Sequence, residues 1–297
     1  MKWVPSEVDG NKVTSLCNHL KISPRLSQWL VQRGIEDPVR AQHFLSPSLQ
    51  YLEDPCTIFH MERGVACLQQ ALKDRKSIAM VGDYDVDGIT SLALLSRCFR
   101  AFGVSYTSFL PDRETEGYGL TPALLERIRS RTRVDLLFAL DCGTNSADLI
   151  RCLRSEGGEV VVIDHHRPRN GSPEGICINP HVWPERHSVS AQQLCTVGLV
   201  FKFVHAWMKY LRRKGDRRAF EFRLKPFLDL VALGTVADMV PLQNENRIFV
   251  YYGLKEFKTS TNPGIRALVK VACGDADEVT SEDISFKLAP RINASGR

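Results

Sequence analysis

Short apolar runs alternate with helical patterns along the middle of this 297-residue chain. The pattern predicts, in chain order, a strand near 77–81, a helix at 90–102, a strand at 105–110, a helix at 121–131, a strand at 135–140, a helix at 146–156 and a strand at 159–163. Strands separated by helices pair in parallel, because each helix carries the chain back to the starting edge of the sheet. We therefore expect an α/β fold with a parallel sheet and helices on both faces.

Acidic side chains and histidines follow several of the predicted strands. Asp83, Asp85 and Asp87 occupy alternate positions after the first strand, so an extended chain would point all three the same way. Residues just beyond the carboxyl ends of parallel strands gather at one edge of the sheet, so we expect such groups to converge. The other groups that follow apolar runs in this manner are Asp141, Asp164, His165, His166 and Asp238.

A convergence of this kind predicts a two-metal centre. Carboxylates held close together repel one another and are costly to keep ionised without a cation between them. Oxygen clusters suit hard divalent cations, and imidazole beside carboxylate suits manganese, iron or zinc. An isolated D-x-D-x-D segment is as often a solvated acidic turn, and a lone histidine is more often packed or exposed than a ligand. The metal interpretation therefore depends on these groups occurring together.

Two adjacent divalent ions suit the hydrolysis of a phosphate ester or anhydride, because they activate a water and stabilise the attacking and leaving oxygens. One carboxylate must bridge the ions, and Asp141 is the candidate because it stands alone at its strand end. Arginine binds phosphate bidentately. Arg113 follows the second predicted strand at the same edge, although a solvent-facing loop arginine is an equally good interpretation.

Six ordered motifs carry a family resemblance, together with a leader at 23–52. They lie at 82–91, 111–120, 141–143, 164–166, 234–238 and 289–297. These motifs resemble those of the DHH phosphoesterase superfamily, and within it the RecJ family of single-strand-specific DNA exonucleases. The Asp-His-His segment alone is weak support, whereas six ordered motifs with family-like spacing are specific.

The resemblance implies a DHH domain with a parallel five-stranded sheet. It also implies an enzyme that degrades single-stranded DNA from the 5′ end in recombination and repair, using two Mn²⁺ or Mg²⁺ ions. By motif match, the metal-site candidates are Asp83, Asp85, Asp87, Asp141, His165, His166 and Asp238. The matched catalytic residues are Asp141, His166 and Arg113, and the matched phosphate or nucleic-acid contacts are Arg113, Asn293 and Arg297. His166 would either bind metal or stabilise the scissile phosphate, and these alternatives stay open.

The resemblance also leaves the roles of the first three acids open. Asp85 and Asp87 match the Asp-x-Asp of the superfamily best. Asp83 would support them from outside the ligand shell or replace an absent histidine ligand.

We expect three segments: a helical leader at 1–58, a DHH catalytic α/β domain at 59–256, and at 257–297 the start of a connection to a further domain. Family members usually continue past the motif at 293–297 into a second domain that contributes nucleic-acid contacts, and no GG-H motif of that domain occurs here. The chain therefore resembles a C-terminally truncated member. Substrate binding and processivity would be weakened in such a chain.

Other functions stay open. Superfamily members with a similar metal centre hydrolyse pyrophosphate, short oligonucleotides or cyclic dinucleotides. A further possibility is an inactive DNA-binding fragment. A P-loop NTPase is disfavoured, because no G-x-x-x-x-G-K-[ST] motif is present. The family resemblance implies single-stranded DNA as partner, with a single-stranded-DNA-binding protein and a helicase as protein partners.

Composition agrees with this interpretation. A net charge of +5 is compatible with a nucleic-acid partner but does not require one. The nine cysteines form no C-x-x-C pair, and the first residues do not resemble a signal peptide. No apolar run approaches the roughly 20 residues that span a bilayer. We therefore expect a cytoplasmic protein with reduced thiols and no membrane partner.

Overall fold

A five-stranded parallel sheet forms the centre of the computed structural model, which describes residues 7–169, 174–274 and 278–295. The strands lie side by side in the order β2-β1-β3-β4-β5, and every neighbouring pair is parallel. The α/β prediction is confirmed. The strands are β1 Ile78–Gly82, β2 Thr107–Phe109, β3 Leu136–Leu140, β4 Glu159–Ile163 and β5 Ile176–Ile178.

Helices connect and cover the strands. The α-helices are α1 Gly10–Leu20, α2 Pro24–Gln32, α3 Pro38–Leu45, α4 Met61–Lys73, α5 Val86–Ala101, α6 Pro122–Arg131, α7 Ala147–Ser155, α8 Val189–Gln192, α9 Thr196–Arg213, α10 Arg217–Glu221, α11 Leu228–Ala237, α12 Asn244–Phe257, α13 Pro263–Cys273, α14 Ser281–Asp283 and α15 Ala289–Ser295. A π-helical segment, Ile284–Leu288, joins α14 to α15. No helix in the described ranges is both long and apolar enough to cross a bilayer.

The predicted boundaries differ from the observed ones in places that have a local cause. The first helix of the sheet was expected at 90–102 but begins at Val86, because the Asp85 side chain accepts the amide N–H of Gly88 at 3.0 Å and caps the helix. The apolar runs did not reveal β5, which has only three residues. Such a short run carries too little periodicity to distinguish a strand from a loop.

Alternating strand residues pack against two different helical layers. Val81 points to the face covered by α6 and α7, where it joins a cluster with Leu124 and Ile150. Met80, the preceding residue, lies in the larger cluster on the opposite face with Phe203 of α9. The sheet therefore has helices on both faces, as expected. Because both faces are buried, β1, β3 and β4 read as continuous apolar runs.

The leader forms a small apolar cluster of its own. Leu16, Leu30 and Ala41, from α1, α2 and α3, are fully buried in it. Pro24 and Pro38 stand in the first turn of α2 and α3, where a missing N–H costs nothing, so each proline begins a helix after breaking the preceding pattern.

The second half of the chain contributes to the main core. Ile284 and Leu288 are fully buried there, with Ile265 of α13. The proposed division into segments at 58 and 256 stays a prediction. Between 217 and 237 the chain forms α10, a short 3₁₀ turn containing Pro226, and α11.

The fold contains a histidine that should make it sensitive to acid. His205 of α9 is half-buried, and its pKa is lowered to about 4 by burial and then by the nearby cations Lys202, Lys209 and Arg212. Between pH 6.5 and 4, His205 therefore binds a proton in the unfolded chain but not in the folded chain, so the free energy of unfolding falls as pH falls. Between pH 7 and pH 4.5, we expect the free energy of unfolding to fall by about 1–2 kcal/mol less in His205→Gln than in the wild type. This value allows for partial solvent screening of the histidine.

Urea unfolding at pH 7 and pH 4.5 measures this effect. His19→Gln, at an exposed position on α1, is the matched control and should leave the loss unchanged. An equal loss in the wild type and His205→Gln would contradict the assignment.

Candidate metal centre

The predicted site residues meet where the strand order of the sheet reverses. From β1 the chain continues to β2 on one side, and β3 lies on the other side. Open parallel sheets bind ligands at the carboxyl ends of the strands at such a switch point. Asp83 follows β1, Asp141 follows β3 and Asp164 follows β4.

A first group of possible ligands surrounds Asp87, which is buried in the first turn of α5. Its carboxylate accepts the backbone N–H groups of Thr196 at 2.7 Å and Val197 at 2.8 Å. These amides open α9, and a helix N-terminus stabilises negative charge. Nε2 of His165 lies 3.8 Å from Oδ2 of Asp87 and 3.6 Å from Oδ2 of Asp238, so the three side chains could hold one cation.

A second group surrounds Asp141. Its Oδ1 accepts the Thr196 hydroxyl at 2.8 Å, and it lies 3.6 Å from Nε2 of His165 and 3.8 Å from Nδ1 of His166. Among the described residues, Asp141, His165 and His166 could also hold a cation. Oδ2 of Asp141 and Oδ2 of Asp238 are buried and lack any hydrogen-bond donor. Buried carboxylate oxygens without a donor fit divalent cations.

His165 belongs to both groups, but it cannot bridge two ions. An imidazole nitrogen has one lone pair, whereas the two oxygens of a carboxylate can each bind a cation. The proximity of Asp141 to both histidines, with one oxygen still unpartnered, supports it as the bridging residue.

Electrostatics in the centre favour a bound cation. Burial, and next the neighbouring Asp238, raises the pKa of Asp87 to about 7. The pKa of Asp238 rises to about 6, from burial and then from Asp85. Burial, and next Asp87, raises the pKa of Asp141 well above its usual range. Burial lowers the pKa of His165 to about 4 and leaves a neutral ring that can donate to metal. A cation would offset the cost of ionising the acids.

His166 is in a different state from His165. Oδ1 of Asp164 accepts Nδ1–H of His166 at 2.8 Å, and this bond raises the pKa of His166 to about 9. The same oxygen accepts the backbone N–H groups of His165 and His166. His166 is therefore an oriented cation at neutral pH, which suits contact with a phosphate oxygen better than metal ligation.

The expected geometry of the acidic triplet is wrong. The strand ends at Gly82 and a helix begins at Val86, so Asp83, Asp85 and Asp87 do not alternate along an extended chain. Asp83 accepts the N–H of Tyr84 at 2.9 Å, and Asp85 caps α5. Of the three, Asp87 alone belongs to a described cluster that could hold metal.

Two glycines of the motifs, Gly88 and Gly234, allow segments around the site to pack closely against each other. A Cβ on Gly88 would lie 2.4 Å from the backbone oxygen of Asp83, and one on Gly234 would lie 2.5 Å from Oγ1 of Thr90 and 3.2 Å from Oδ1 of Asp87. Gly234 therefore lets α11 approach α5 closely, and Asp238 directly follows the end of α11, beside the acids.

The predicted phosphate contacts differ in position. Arg113 donates to the Tyr118 hydroxyl at 3.1 Å, and its guanidinium lies 5.5 Å from the ring centroids of both Tyr84 and Tyr118. Since Tyr84 follows Asp83, this group borders the metal centre. Oδ1 of Asn293 accepts the N–H of Val86 at 3.2 Å, which places it at the start of α5. The predicted contact Arg297 lies outside the described residues.

Sequence reasoning missed several residues that support the centre. Thr196 contacts both Asp87 and Asp141, and no local signal in the sequence marked it. Asp164 was taken as part of a motif, but not as the residue that orients His166. Asn179, just after β5, donates to Thr144 and to the backbone oxygen of His166, both at 2.8 Å.

Comparison with known proteins agrees with this geometry. The family model described as DHH family, N-terminal domain, matches residues 77–235. The single-stranded-DNA-specific exonuclease RecJ of Bacillus subtilis is 31% identical over 100% of this chain and 36% of its own length. RecJ of Dickeya dadantii is 37% identical over 92% of this chain and 47% of its own length.

Solved structures show the same relationship. A crystal structure of exonuclease RecJ bound to manganese superposes with a TM-score of 0.71 and 30% identity, covering 84% of this chain and 59% of that chain. RecJ from Thermus thermophilus in complex with Mn²⁺ superposes with a TM-score of 0.75 and 28% identity, covering 96% of this chain and 39% of that chain. The chain spans less than half the length of the curated relatives named above. The resemblance seen in the motifs is confirmed, and this chain belongs to the DHH family.

Proposed function

We propose that this chain carries the catalytic centre of a single-strand-specific DNA exonuclease that hydrolyses phosphodiester bonds from the 5′ end. The observation that carries the proposal is the convergence of Asp87, Asp141, His165 and Asp238, with two buried carboxylate oxygens that lack a donor. Support comes from similarity to RecJ proteins over the whole chain.

Each side chain has a separate task in this proposal. Asp87, His165 and Asp238 would hold one cation, and Asp141, with its unpartnered oxygen, would hold the second. When bound, two Mn²⁺ or Mg²⁺ ions supply an activated water and stabilise the oxygens of an in-line displacement. The amides of Thr196 and Val197 keep the Asp87 carboxylate in place before a cation arrives. Asp83 and Asp85 support the centre from their positions in the turn.

His166 acts on the substrate rather than on the cation. Asp164 fixes the orientation of its ring and keeps it positively charged. A charged donor beside Asp141 can stabilise negative charge that develops on the scissile phosphate.

The group of Arg113, Tyr84 and Tyr118 receives the strand. Tyr118 is 62% exposed, so its ring is free to stack on a base, while Arg113 binds a phosphate. Asn293 and Arg297 are proposed as further phosphate contacts from the motif match, as given above.

Arg113→Ala should weaken substrate binding without affecting metal binding. Losing a charge-assisted contact to phosphate is expected to raise KM by about 10-fold. Manganese affinity should stay unchanged, because Arg113 contacts tyrosines and not the acids. Steady-state kinetics and manganese titration separate the two effects. Arg100→Ala, at the exposed end of α5, is the control. A parallel loss of manganese affinity would make Arg113 a structural residue.

The function itself is tested by manganese-dependent release of mononucleotides from 5′-labelled single-stranded DNA. Duplex DNA, pyrophosphate and a cyclic dinucleotide are compared at equal concentration. Preferred release from single strands is the expected result. Faster hydrolysis of pyrophosphate or the cyclic dinucleotide would favour the small-substrate alternative, and binding of DNA without hydrolysis would indicate an inactive DNA-binding fragment.

We also propose a cytoplasmic location, with a single-stranded-DNA-binding protein and a helicase as partners. The nine cysteines are all free thiols, which suits a reducing compartment. The two protein partners rest on the family resemblance alone. Co-purification of either from cells that express a tagged chain would test them.

A further inference from the structure

A polar cavity lies between the leader and the core, and none of the metal-centre acids or histidines lines it. We name it the leader–core cavity. It has a volume of about 130 Å³ and lies between α3 and the start of α12. Its polar lining includes Arg40, Glu53, Gln243, Asn244, Glu245 and Arg247.

Arg247 is the central feature of this cavity. Its guanidinium stacks on the Phe44 ring at 3.7 Å, and its Nε donates to the backbone oxygen of Phe44 at 2.6 Å. The side chain is therefore held in one orientation and is partly desolvated, and burial lowers its pKa. Within the described ranges it has no carboxylate partner, and the same is true of Arg40 in the same lining. An arginine held in this way can donate two hydrogen bonds to one anion.

The carboxylates of the lining already have partners. Glu245 accepts from Nζ of Lys202 at 2.5 Å, and its other oxygen accepts from the hydroxyl of Ser190 at 3.4 Å. Glu53 accepts from the hydroxyl of Ser188 at 2.7 Å. With the charge of Glu245 balanced by buried Lys202, the two arginines outnumber the remaining acid. The cavity thus carries excess positive charge.

We propose that the leader–core cavity is a second phosphate-binding site, in which Arg247 and Arg40 grip the phosphate of a nucleotide. The source is either a backbone phosphate of the single strand or the free mononucleotide that hydrolysis releases. The proposal rests on the proposed function for the nucleic-acid identity of the phosphate. The stacked rings of His43 and Tyr51, with centroids 3.6 Å apart, offer an adjacent aromatic surface for a base.

The cavity is near enough to the metal centre for one strand to reach both. Gln243 is only a few positions beyond Asp238 in the chain, so their Cα atoms lie no more than about 19 Å apart. A strand covers that distance with roughly six nucleotides or fewer, at about 3.4 Å each. A second link runs from Asn244, whose Nδ2 donates to Oε1 of Gln193 at 3.0 Å, to Thr196 beside the acids.

The test measures binding in EDTA, so that hydrolysis plays no part. The probes are a single-stranded oligonucleotide of about 12 nucleotides and a deoxynucleoside monophosphate. The variants are Arg247→Gln and Arg40→Gln, with Arg131→Gln, at the exposed end of α6, as the matched control. Thermal melting checks that each variant folds. Because Arg40 is exposed, its variant keeps the test decisive if Arg247→Gln is unstable.

We expect both arginine variants to weaken binding by about 10-fold and the control to bind as the wild type. For the oligonucleotide, the slope of log affinity against log salt should fall by about 0.7, as for one lost phosphate contact. If only binding of the oligonucleotide weakens, the site binds a backbone phosphate of the strand. If binding of the mononucleotide weakens, the site binds the released product. Unchanged binding of both probes, or no binding by the wild type, overturns the proposal. Failure of the proposed function would appear separately, as absence of manganese-dependent release.

Discussion

Asp141→Asn is expected to lower the rate of nucleotide release by at least about 100-fold, more than the 10–100-fold typical of residues that only support a ligand. Asparagine retains the shape of the side chain and an oxygen that accepts from Thr196, but it removes the charge that would hold two cations. It also tolerates the left-handed backbone of this residue, whose φ is 61°. Alanine would add backbone strain and confuse the result.

Two measurements accompany the rate. Manganese should raise the melting temperature of the wild type by mass action, and this rise should be much smaller in Asp141→Asn. Without metal, the variant should be at least as stable as the wild type, because it removes a buried group whose pKa is raised by burial and by Asp87. Asp74→Asn, an exposed acid just after α4, is the control. Wild-type activity in Asp141→Asn would refute the two-metal assignment.

Lys202→Met is expected to destabilise the protein by about 3–5 kcal/mol. Lys202 and Glu245 are both nearly inaccessible, at 1% and 2% side-chain exposure, and Nζ of Lys202 also donates to the backbone oxygen of Glu53 at 2.6 Å. Methionine would fill the space but leave Glu245 without a counter-charge in the interior. An unpaired buried charge costs far more than the net value of the pair.

The partner substitution tests this explanation. Adding Glu245→Gln to Lys202→Met should recover a large part of the lost stability, because glutamine keeps an oxygen for the N–H of Glu53 and carries no charge. Lys214→Met, at the exposed end of α9, should change stability by less than about 0.5 kcal/mol. Urea unfolding provides all four values. An equal loss in the single and double variants would show that packing, not charge, is responsible.

The order of the strands and helices was predictable because apolar periodicity is a local property of the chain. Strands such as Leu136–Leu140 are buried on both faces, so their sequences are continuous apolar runs, and such a run indicates a central parallel strand. The placement of Asp141 after that run then located it at the binding edge, since parallel strands all end there. The family resemblance followed from motifs of the same local kind.

The acidic triplet shows where local reasoning failed. The alternation of Asp83, Asp85 and Asp87 suggested an extended chain, but the Asp85 side chain satisfies an amide of the first turn of α5. Two local signals competed, and helix capping prevailed over strand alternation. The consequence is that the three acids have three different surroundings.

The sequence by itself determined the α/β class, the strand ends at which the acids and histidines gather, and the family. Tertiary structure alone decided the hydrogen-bond partners and the pKa values of those groups. The amides that hold Asp87 come from Thr196 and Val197, more than 100 positions along the chain. The pKa values of His165 and His166 move in opposite directions, because one ring is buried and the other is bound to Asp164. Burial and long-range contacts set these properties, and neither can be read from the order of residues.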